Sequence, residues 1–247
     1  MADNIRAKGV IIKQNDYGEG HRIIHIFAEG MGIVKAVSYG AKKAKSRQAA
    51  SSQFLCWGNF ELYESGRDML TLKSVDVIDG FFPLSEDITK LALCTYISDI
   101  TYAMLGLDNP DDRLLKVFLN TLYALAYRSE PVLKIKSVYE LKLMSIEGYE
   151  PETERCGVCG ANRVAAFDLS KGMTVCGSCT GKSSVGISES VYRALRYIVH
   201  SPDKKMLSFS GNDILFEKLN ELSENYVLMQ ADRKFSSLDY FKTMLGC

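Results

Sequence analysis

Apolar and polar residues alternate along roughly the first 80 residues of the chain, the pattern of half-buried strands. The alternation predicts five strands, at Arg6–Lys13, Arg22–Ala28, Gly32–Tyr39, Gln53–Tyr63 and Asp68–Asp79. Glycine-containing turns separate several of them, at residues 15–20, 29–32 and 65–67. Five short strands with a long connection after the third fit a small barrel of the OB-fold type. Strand count alone leaves an SH3-like barrel open.

Beyond residue 83 the apolar residues recur at helical spacing. Ser85 is the predicted N-cap of a helix ending near Leu105, and the next helix is predicted to have Pro110 at its first position. Further helices are predicted at residues 131–147, 188–200, 211–231 and 236–245, and Ser188 is the predicted N-cap of the second of these. The predicted fold class is α+β multidomain, with a five-stranded OB-fold barrel in residues 1–80. An α-helical domain follows in residues 81–247, with an insertion at about residues 154–182.

Four cysteines form the insertion's most specific pattern, Cys156-Gly-Val-Cys159 and Cys176-Gly-Ser-Cys179 with sixteen residues between the pairs. This spacing is typical of a zinc ribbon, in which two tight turns each supply two thiolates. Residues 163–169 and 173–175 between the pairs are predicted to form the two strands of a hairpin. Four sulfur ligands complete a tetrahedral site, so the expected cofactor is one structural zinc ion rather than a catalytic one. Disulfides or unmetallated thiols are the alternatives. Residues 181–186 are interpreted as the linker that leaves the ribbon.

Composition and motifs favour a binding protein over an enzyme. Seven cysteines, no signal-peptide pattern and no apolar run of about 18 residues predict a cytoplasmic protein, nucleoid-associated when active. The chain has no phosphate-binding loop, nucleophile elbow, H-E-x-x-H or complete G-x-G-x-x-G motif. His21 and His25 could share a strand face, but no third metal ligand is near them in the sequence. A hidden carboxylate site, such as that of a nuclease, remains the enzymatic alternative.

Charge points to nucleic acid only through its distribution, because the formal net charge is zero. No acidic residue lies between Glu29 and Glu61, and that stretch carries five cations: Lys35, Lys42, Lys43, Lys45 and Arg47. An isolated basic run is most often a solvated loop, whereas on a barrel it is typical of backbone-phosphate binding. Lys13, Arg22 and Arg67 are weaker candidates for DNA binding. Trp57, on the more polar strand face, either stacks a base or packs on neighbouring structure.

Several stretches together resemble the RecO family, bacterial recombination mediators of DNA repair. The resembling stretches are Asp16-Tyr-Gly-Glu-Gly-His-Arg-Ile-Ile24, Gly32–Val37, Gly40-Ala-Lys-Lys-Ala-Lys-Ser-Arg47, Leu62–Arg67, Gly148 to Cys179 and Phe235–Tyr240. The resemblance covers essentially the whole chain in order. It departs at Asp99, where the family usually has Glu. Some family members also lack the four cysteines, so zinc is not expected to be central to the activity.

The resemblance implies an N-terminal OB-fold, a helical C-terminal domain and a zinc ribbon. It also implies binding of single- and double-stranded DNA, annealing of complementary strands, and cooperation with RecR in loading RecA onto DNA coated with single-stranded-DNA-binding protein (SSB). The expected partners are therefore DNA, RecR and the SSB C-terminal tail, with RecF and RecA as indirect partners. The alternative is an RNA- or transcription-associated module built from the same barrel and ribbon.

Overall fold

The computed structural model describes residues 4–42, 52–64, 69–105 and 110–246 of the chain. Two compact units are present, one formed by Met1–Lys116 with Ser237–Cys247 and the other by Val117–Ser236. The division at residue 80 stays a prediction, since compactness does not show which segments fold alone. Within the described ranges, no helix combines the length and apolar character needed to cross a membrane.

The first unit contains a closed five-stranded barrel. Its strands are β1 (Asn4–Tyr17), β2 (His21–Ala28), β3 (Gly32–Ser38), β4 (Trp57–Glu64) and β5 (Leu70–Asp79). They are ordered β1-β2-β3-β5-β4, with β4 pairing back onto β1 and β3 running parallel to β5. This closed order is that of the OB-fold. The predicted OB-fold is therefore confirmed, and the SH3-like alternative is excluded.

The barrel interior is filled by alternate residues of every strand, as the period of two predicts. Ile11, Ile24, Ile26, Phe60 and Leu62 are buried in one cluster. Trp57, Asn59 and Glu61 occupy the opposite face of β4 and are partly or fully exposed. The predicted assignment of Trp57 to the polar face is thus confirmed.

Two predicted strand boundaries are wrong. The first strand continues past Lys13 to Tyr17, and the segment from Gln53 to Cys56 does not belong to β4. Leu55 has a left-handed backbone (φ 69°), which a continuous strand does not allow. The Leu55 N–H donates to the Ile11 carbonyl, and the Ile11 N–H donates to the Cys56 carbonyl. A turn therefore delivers the chain onto β1, and β4 begins only at Trp57.

The closure of the barrel depends on a close approach of three strands at Gly9. Gly9 lies opposite Gly58 of β4 on one side and Ala28 of β2 on the other. A Cβ atom at Gly9 would lie 2.5 Å from the Phe27 carbonyl oxygen, well inside van der Waals contact. The absence of a side chain at Gly9 lets the strands pack this closely.

Two helices complete the first unit, α1 (Ile88–Leu105) and, at the far end of the chain, α6 (Ser236–Leu245). The predicted N-cap at Ser85 is wrong, because Ser85 lies in a short 3-10 turn (Phe82–Glu86) and donates to the Phe82 carbonyl. Asp87 caps α1 instead, and its carboxylate accepts from the Thr89 and Lys90 N–H groups at 3.0 and 3.1 Å. Its position immediately before the helix gives it the right geometry for capping.

The next helix, α2, spans Asp112–Tyr127. The predicted placement of Pro110 at its first position is wrong. Asp111 is the residue that caps the helix, since its carboxylate accepts from the Leu114 N–H at 2.7 Å. Pro110 therefore lies before the cap, where its missing N–H costs nothing.

In the second unit, α3 (Val132–Ile146) is surrounded by the remaining helices, α4 (Glu189–His200) and α5 (Asp213–Ala231). Every residue from Lys134 to Met144 is buried. Lys136 is fully buried and lies 2.8 Å from Glu140 and 3.1 Å from Glu224. Buried charges require such partners, because an unpaired one would lose its hydration without compensation.

The predicted cap of α4 is confirmed, since Ser188 Oγ accepts from the Val191 N–H.

The tight packing at Gly9 yields a test. Gly9→Ala is expected to lower the free energy of unfolding of the barrel by about 2 kcal/mol, because the new methyl group collides with backbone. Gly20→Ala is the matched control, since a Cβ there has no neighbour within 4 Å. It is expected to change stability by less than about 0.5 kcal/mol in the same denaturant titration. Equal stabilities for the two variants would contradict the proposed close approach.

Candidate nucleic-acid interface and metal centre

The cysteine insertion folds as a small three-stranded sheet in the second unit. Its strands are β6 (Ala166–Asp168), β7 (Met173–Val175) and β8 (Ser184–Gly186), in the order β7-β6-β8. The predicted hairpin of β6 and β7 is confirmed, although β6 is shorter than predicted. The interpretation of residues 181–186 as a plain linker is wrong. Residues 184–186 form β8, which pairs with β6 on the side opposite β7. Both edges of β6 therefore have backbone hydrogen-bond partners.

The four cysteines converge on one point. The Sγ atoms of Cys156, Cys159, Cys176 and Cys179 all lie within 4.8 Å of one another. Cys159 Sγ and Cys176 Sγ are 3.7 Å apart. Zinc–sulfur bonds of about 2.3 Å in a tetrahedron place sulfur atoms roughly 3.8 Å apart. The four thiolates therefore fit a single tetrahedral metal ion and would leave it no open position for substrate.

Backbone N–H groups stabilise the thiolate form of the first ligand. Hydrogen bonds from the Cys176 and Cys159 backbone, and then from Val158, lower the pKa of Cys156 to about 6. Gly160 follows the first pair in a left-handed conformation (φ 76°) that favours glycine. Its N–H donates to the Cys156 carbonyl at 2.8 Å, which closes the turn. The local sequence is thus suited to present sulfur to a cation.

The ribbon is anchored to the helices of its own unit. Asp168, almost fully buried, accepts hydrogen bonds from Ser183 Oγ and Ser170 Oγ at 2.7 and 2.8 Å. Burial alone would raise the pKa of Asp168, but these bonds outweigh it and lower the pKa. Tyr226 of α5 packs edge-on against Phe167. The Asp168 bonds thus stabilise the ribbon itself, and the contact between Phe167 and Tyr226 joins it to α5.

Two of the predicted DNA-binding residues, Lys42 and Arg22, form ion pairs with the same acidic residue, Asp16. Lys42 Nζ lies 2.6 Å from an oxygen of Asp16, and Arg22 Nε lies 3.9 Å from the other. The hydrogen bond from Lys42 lowers the pKa of Asp16, so the acid stays ionised at neutral pH. The three residues lie where β1 ends and β2 begins, together with the start of the connection after β3. Asp16 thus offsets part of the local positive charge, which sequence spacing did not predict.

Two other predicted residues, Lys13 and Lys35, lie beside the buried imidazole of His25. Strand register places His25 directly opposite Lys13 on β1 and directly opposite Lys35 on β3. Burial first, and then the charges of Lys35 and Lys13, lower the pKa of His25 to about 4. His25 is therefore neutral at physiological pH. The remaining predicted residues, Lys43, Lys45, Arg47 and Arg67, lie outside the described residues.

A second group of cations, not predicted, lies on the outer face of β1 and β4. Lys8 Nζ lies 5.3 Å from the centre of the Trp57 ring, a cation–π contact. Arg6 lies 3.8 Å from Glu61. A groove of about 600 Å³ runs between them and is lined by Arg6, Lys8, Asn59, Glu61, Ser74 and Asp76, among others. The alternation of β1 could have indicated this face, but its acids leave the groove with mixed charge.

The histidines do not form a second metal site in the part of the chain that the structure describes. His21 Nδ1 accepts a hydrogen bond from the Gly40 N–H at 3.0 Å. The ring also packs edge-on against Tyr39. Among described residues, the four cysteines are the one cluster of three or more potential metal ligands.

Comparison with known proteins identifies relatives along nearly the whole chain. The family model for Recombination protein O N terminal matches residues 1–81, and that for Recombination protein O C terminal matches residues 85–239. A DNA repair protein RecO of Acetivibrio thermocellus is 33% identical over 244 residues, which is 97% of each chain. A DNA repair protein RecO of Clostridium novyi is 26% identical and covers 96% of this chain and 93% of its own.

The closed ligand set yields a test. Cys156→Ser is expected to abolish stoichiometric zinc binding and to lower the thermal unfolding midpoint by at least about 5 °C, because metal binding contributes folding energy. Cys56→Ala is the control, since Cys56 is buried in the barrel core and lies outside the cluster. It should retain one zinc ion per chain by elemental analysis. A zinc-free Cys156→Ser protein with native thermal stability would contradict a structural role for the ion.

Proposed function

This chain belongs to the RecO family of DNA repair proteins, and on that premise we propose that it is a DNA-binding recombination mediator. It binds single- and double-stranded DNA, anneals complementary strands and, with RecR, helps to load RecA onto SSB-coated DNA. The protein contributes charge and shape to these steps and no catalytic residue. Its location is the cytoplasm, where the DNA is.

The observation that carries this proposal is the concentration of cations at one end of β1, β2 and β3. Lys13 and Lys35 flank one position, and Arg22 and Lys42 flank another about three residues along the strands. Because side chains three residues apart on a strand point to opposite faces, the two pairs lie on different faces of β2 near the same end of the barrel. The acid-free connection that follows Lys42 adds Lys43, Lys45 and Arg47 in sequence. These cations give this part of the chain a local excess of positive charge, which attracts phosphates whatever the base sequence.

Charge contacts of this kind suit strand annealing. A phosphate is the same in every nucleotide, so binding through phosphates accepts any sequence. Two complementary strands repel each other, and a cationic surface reduces that repulsion while leaving base edges available for pairing. No bond is formed or broken in the protein or the DNA by this step.

We also propose the partners that the family implies: RecR and the SSB C-terminal tail directly, with RecF and RecA indirectly. The SSB tail is acidic and apolar, and a tail of that kind is recognised through cations beside an apolar groove. The metal ion is zinc, held by Cys156, Cys159, Cys176 and Cys179, and it acts as a structural cofactor.

The DNA-binding step is tested by its dependence on salt. If about five phosphates are contacted, the logarithm of the association constant for single strands should fall with that of salt at a slope of roughly −3.5. Replacing Lys42, Lys43, Lys45 and Arg47 together by Ala should make that slope shallower by roughly 2.8. An unchanged slope would move the contacts away from this loop.

Asp16→Asn is the opposing variant, because it removes the acid that pairs with Lys42 and Arg22. It is expected to tighten binding of a single-stranded oligonucleotide about fivefold at low salt, equivalent to roughly 1 kcal/mol. Weaker binding by Asp16→Asn would count against the role assigned to these cations.

A matched RNA competitor distinguishes the DNA mediator from an RNA-binding module, which would prefer RNA.

A further inference from the structure

A row of three basic side chains crosses the first three strands of the barrel. Lys13 of β1, His25 of β2 and Lys35 of β3 are direct cross-strand partners. Directly opposed residues have their side chains on the same face, about 5 Å apart at Cβ. The row exists because of a bulge in β1 between Ile11 and Lys13. In a regular strand without the bulge, Ile12 and not Lys13 would lie opposite His25.

The row lacks the partners that half-buried charges normally have. Neither Lys13 nor Lys35 has an acidic group within 4 Å among the residues in the described ranges. His25 is only 7% exposed, and its Nδ1 atom is buried with no hydrogen-bond partner in the described structure. Buried polar atoms are nearly always satisfied, so an exception requires a reason.

An aromatic ring of α1 closes one side of the row. The Tyr102 ring lies with its centre 5.2 Å from that of His25, nearly perpendicular to it. Lys13 Nζ lies 4.7 Å from the centre of the same ring. The ring holds the Lys13 ammonium by a cation–π contact and limits its access to water. Tyr102 therefore holds one cation of the row in place, and Lys35 is the cross-strand partner of His25 on its other side.

We propose that Lys13, His25 and Lys35, backed by Tyr102, form a binding site for a single phosphate group. The two ammonium groups supply charge from both sides, and the imidazole between them supplies a hydrogen bond. The phosphate belongs either to a nucleic-acid backbone or to a free phosphate-bearing molecule. Only the first source rests on the proposed function, because the site itself follows from the geometry of the row.

The electrostatics of the row agree with an anion as its ligand. Burial, Lys35 and Lys13 together lower the pKa of His25 to about 4. The groups that face His25 are Lys13 from β1, Lys35 from β3 and the uncharged Tyr102 from α1. A phosphate placed among them would reverse the sign of the local field and favour the charged imidazole. Phosphate fits better than a single carboxylate, since its oxygens can accept from three separate donors at once.

The site is tested on the full-length protein by nuclear magnetic resonance of labelled histidine. The chain has three histidines, so three imidazole signals are expected, and His25→Gln identifies the one that matters. Inorganic phosphate is added at constant ionic strength against sodium chloride, and a thymidine oligonucleotide is added in a separate titration. We expect the His25 signal to shift saturably with phosphate, and the pKa of His25 to rise above about 4.

Variants distinguish specific binding from general attraction. Lys13→Gln with Lys35→Gln should raise the apparent Kd for phosphate at least about tenfold. Its thermal midpoint should stay close to that of the unaltered protein, because the repulsion between the two lysines is removed while the Lys13–Tyr102 contact is lost, and this shows that the protein remains folded. Lys73→Gln is the matched control, because Lys73 is an exposed barrel lysine paired with Glu61. It should titrate as the unaltered protein does.

The outcomes separate this site from the wider function. A shift with both probes assigns the site to a backbone phosphate. A shift with phosphate in a protein that binds no oligonucleotide supports the site and overturns the DNA-binding proposal. A protein that binds the oligonucleotide while His25 responds to neither probe overturns the site and leaves the DNA-binding proposal standing. Equal phosphate affinity in the double variant also overturns it.

Discussion

Closure of the barrel through β1 is the constraint on which the rest of the first unit depends. This strand is long, and it pairs with β4 along its first half and with β2 along most of its length. The pairing is possible because Gly9 and Gly58 let the strands approach without side chains between them. Past that point the strand bulges, which turns Lys13 toward His25. One backbone arrangement thus closes the core and aligns the cations.

The fully buried lysines of the helical unit have acidic partners, whereas two half-buried lysines of the barrel have none among the described residues. In the helical unit, Lys136 lies against two glutamates and Lys142 lies 3.3 Å from Asp203. In the barrel, Lys13 and Lys35 lie beside a buried imidazole with no acid within 4 Å in the described residues. A stable core favours the first arrangement, because opposite charges compensate each other's lost hydration. The second is typical of a place where a ligand completes the electrostatics.

Much of the fold could be predicted from local patterns in the sequence. The period of two identified the barrel strands, and Ser188 marked the start of α4. The cysteine spacing indicated the ribbon, because its ligands lie in two short local turns. The exact helix starts were not predictable, because each segment contains more than one residue suited to begin a helix. Ser85 and Pro110 were predicted, whereas the structure uses Asp87 and Asp111 as caps.

The candidate interface was less predictable, because it depends on register and on distant contacts. Asp16 and Lys42 are 26 residues apart, and no local pattern links them. The opposition of Lys13 to His25 requires the bulge, and a single inserted residue in a strand leaves no clear trace in hydrophobic alternation. The basic residues themselves were visible in the sequence, but not which of them an acid would offset.

The central claim is that this protein brings DNA strands together by charge, without chemistry of its own. It is tested most directly by pairing of complementary oligonucleotides coated with SSB, with and without RecR, while strand length is followed on a gel. The account predicts faster pairing at low salt, loss of the effect at high salt, and strands of unchanged length. Pairing at the rate of SSB-coated strands alone, or magnesium-dependent shortening of the strands, would contradict it.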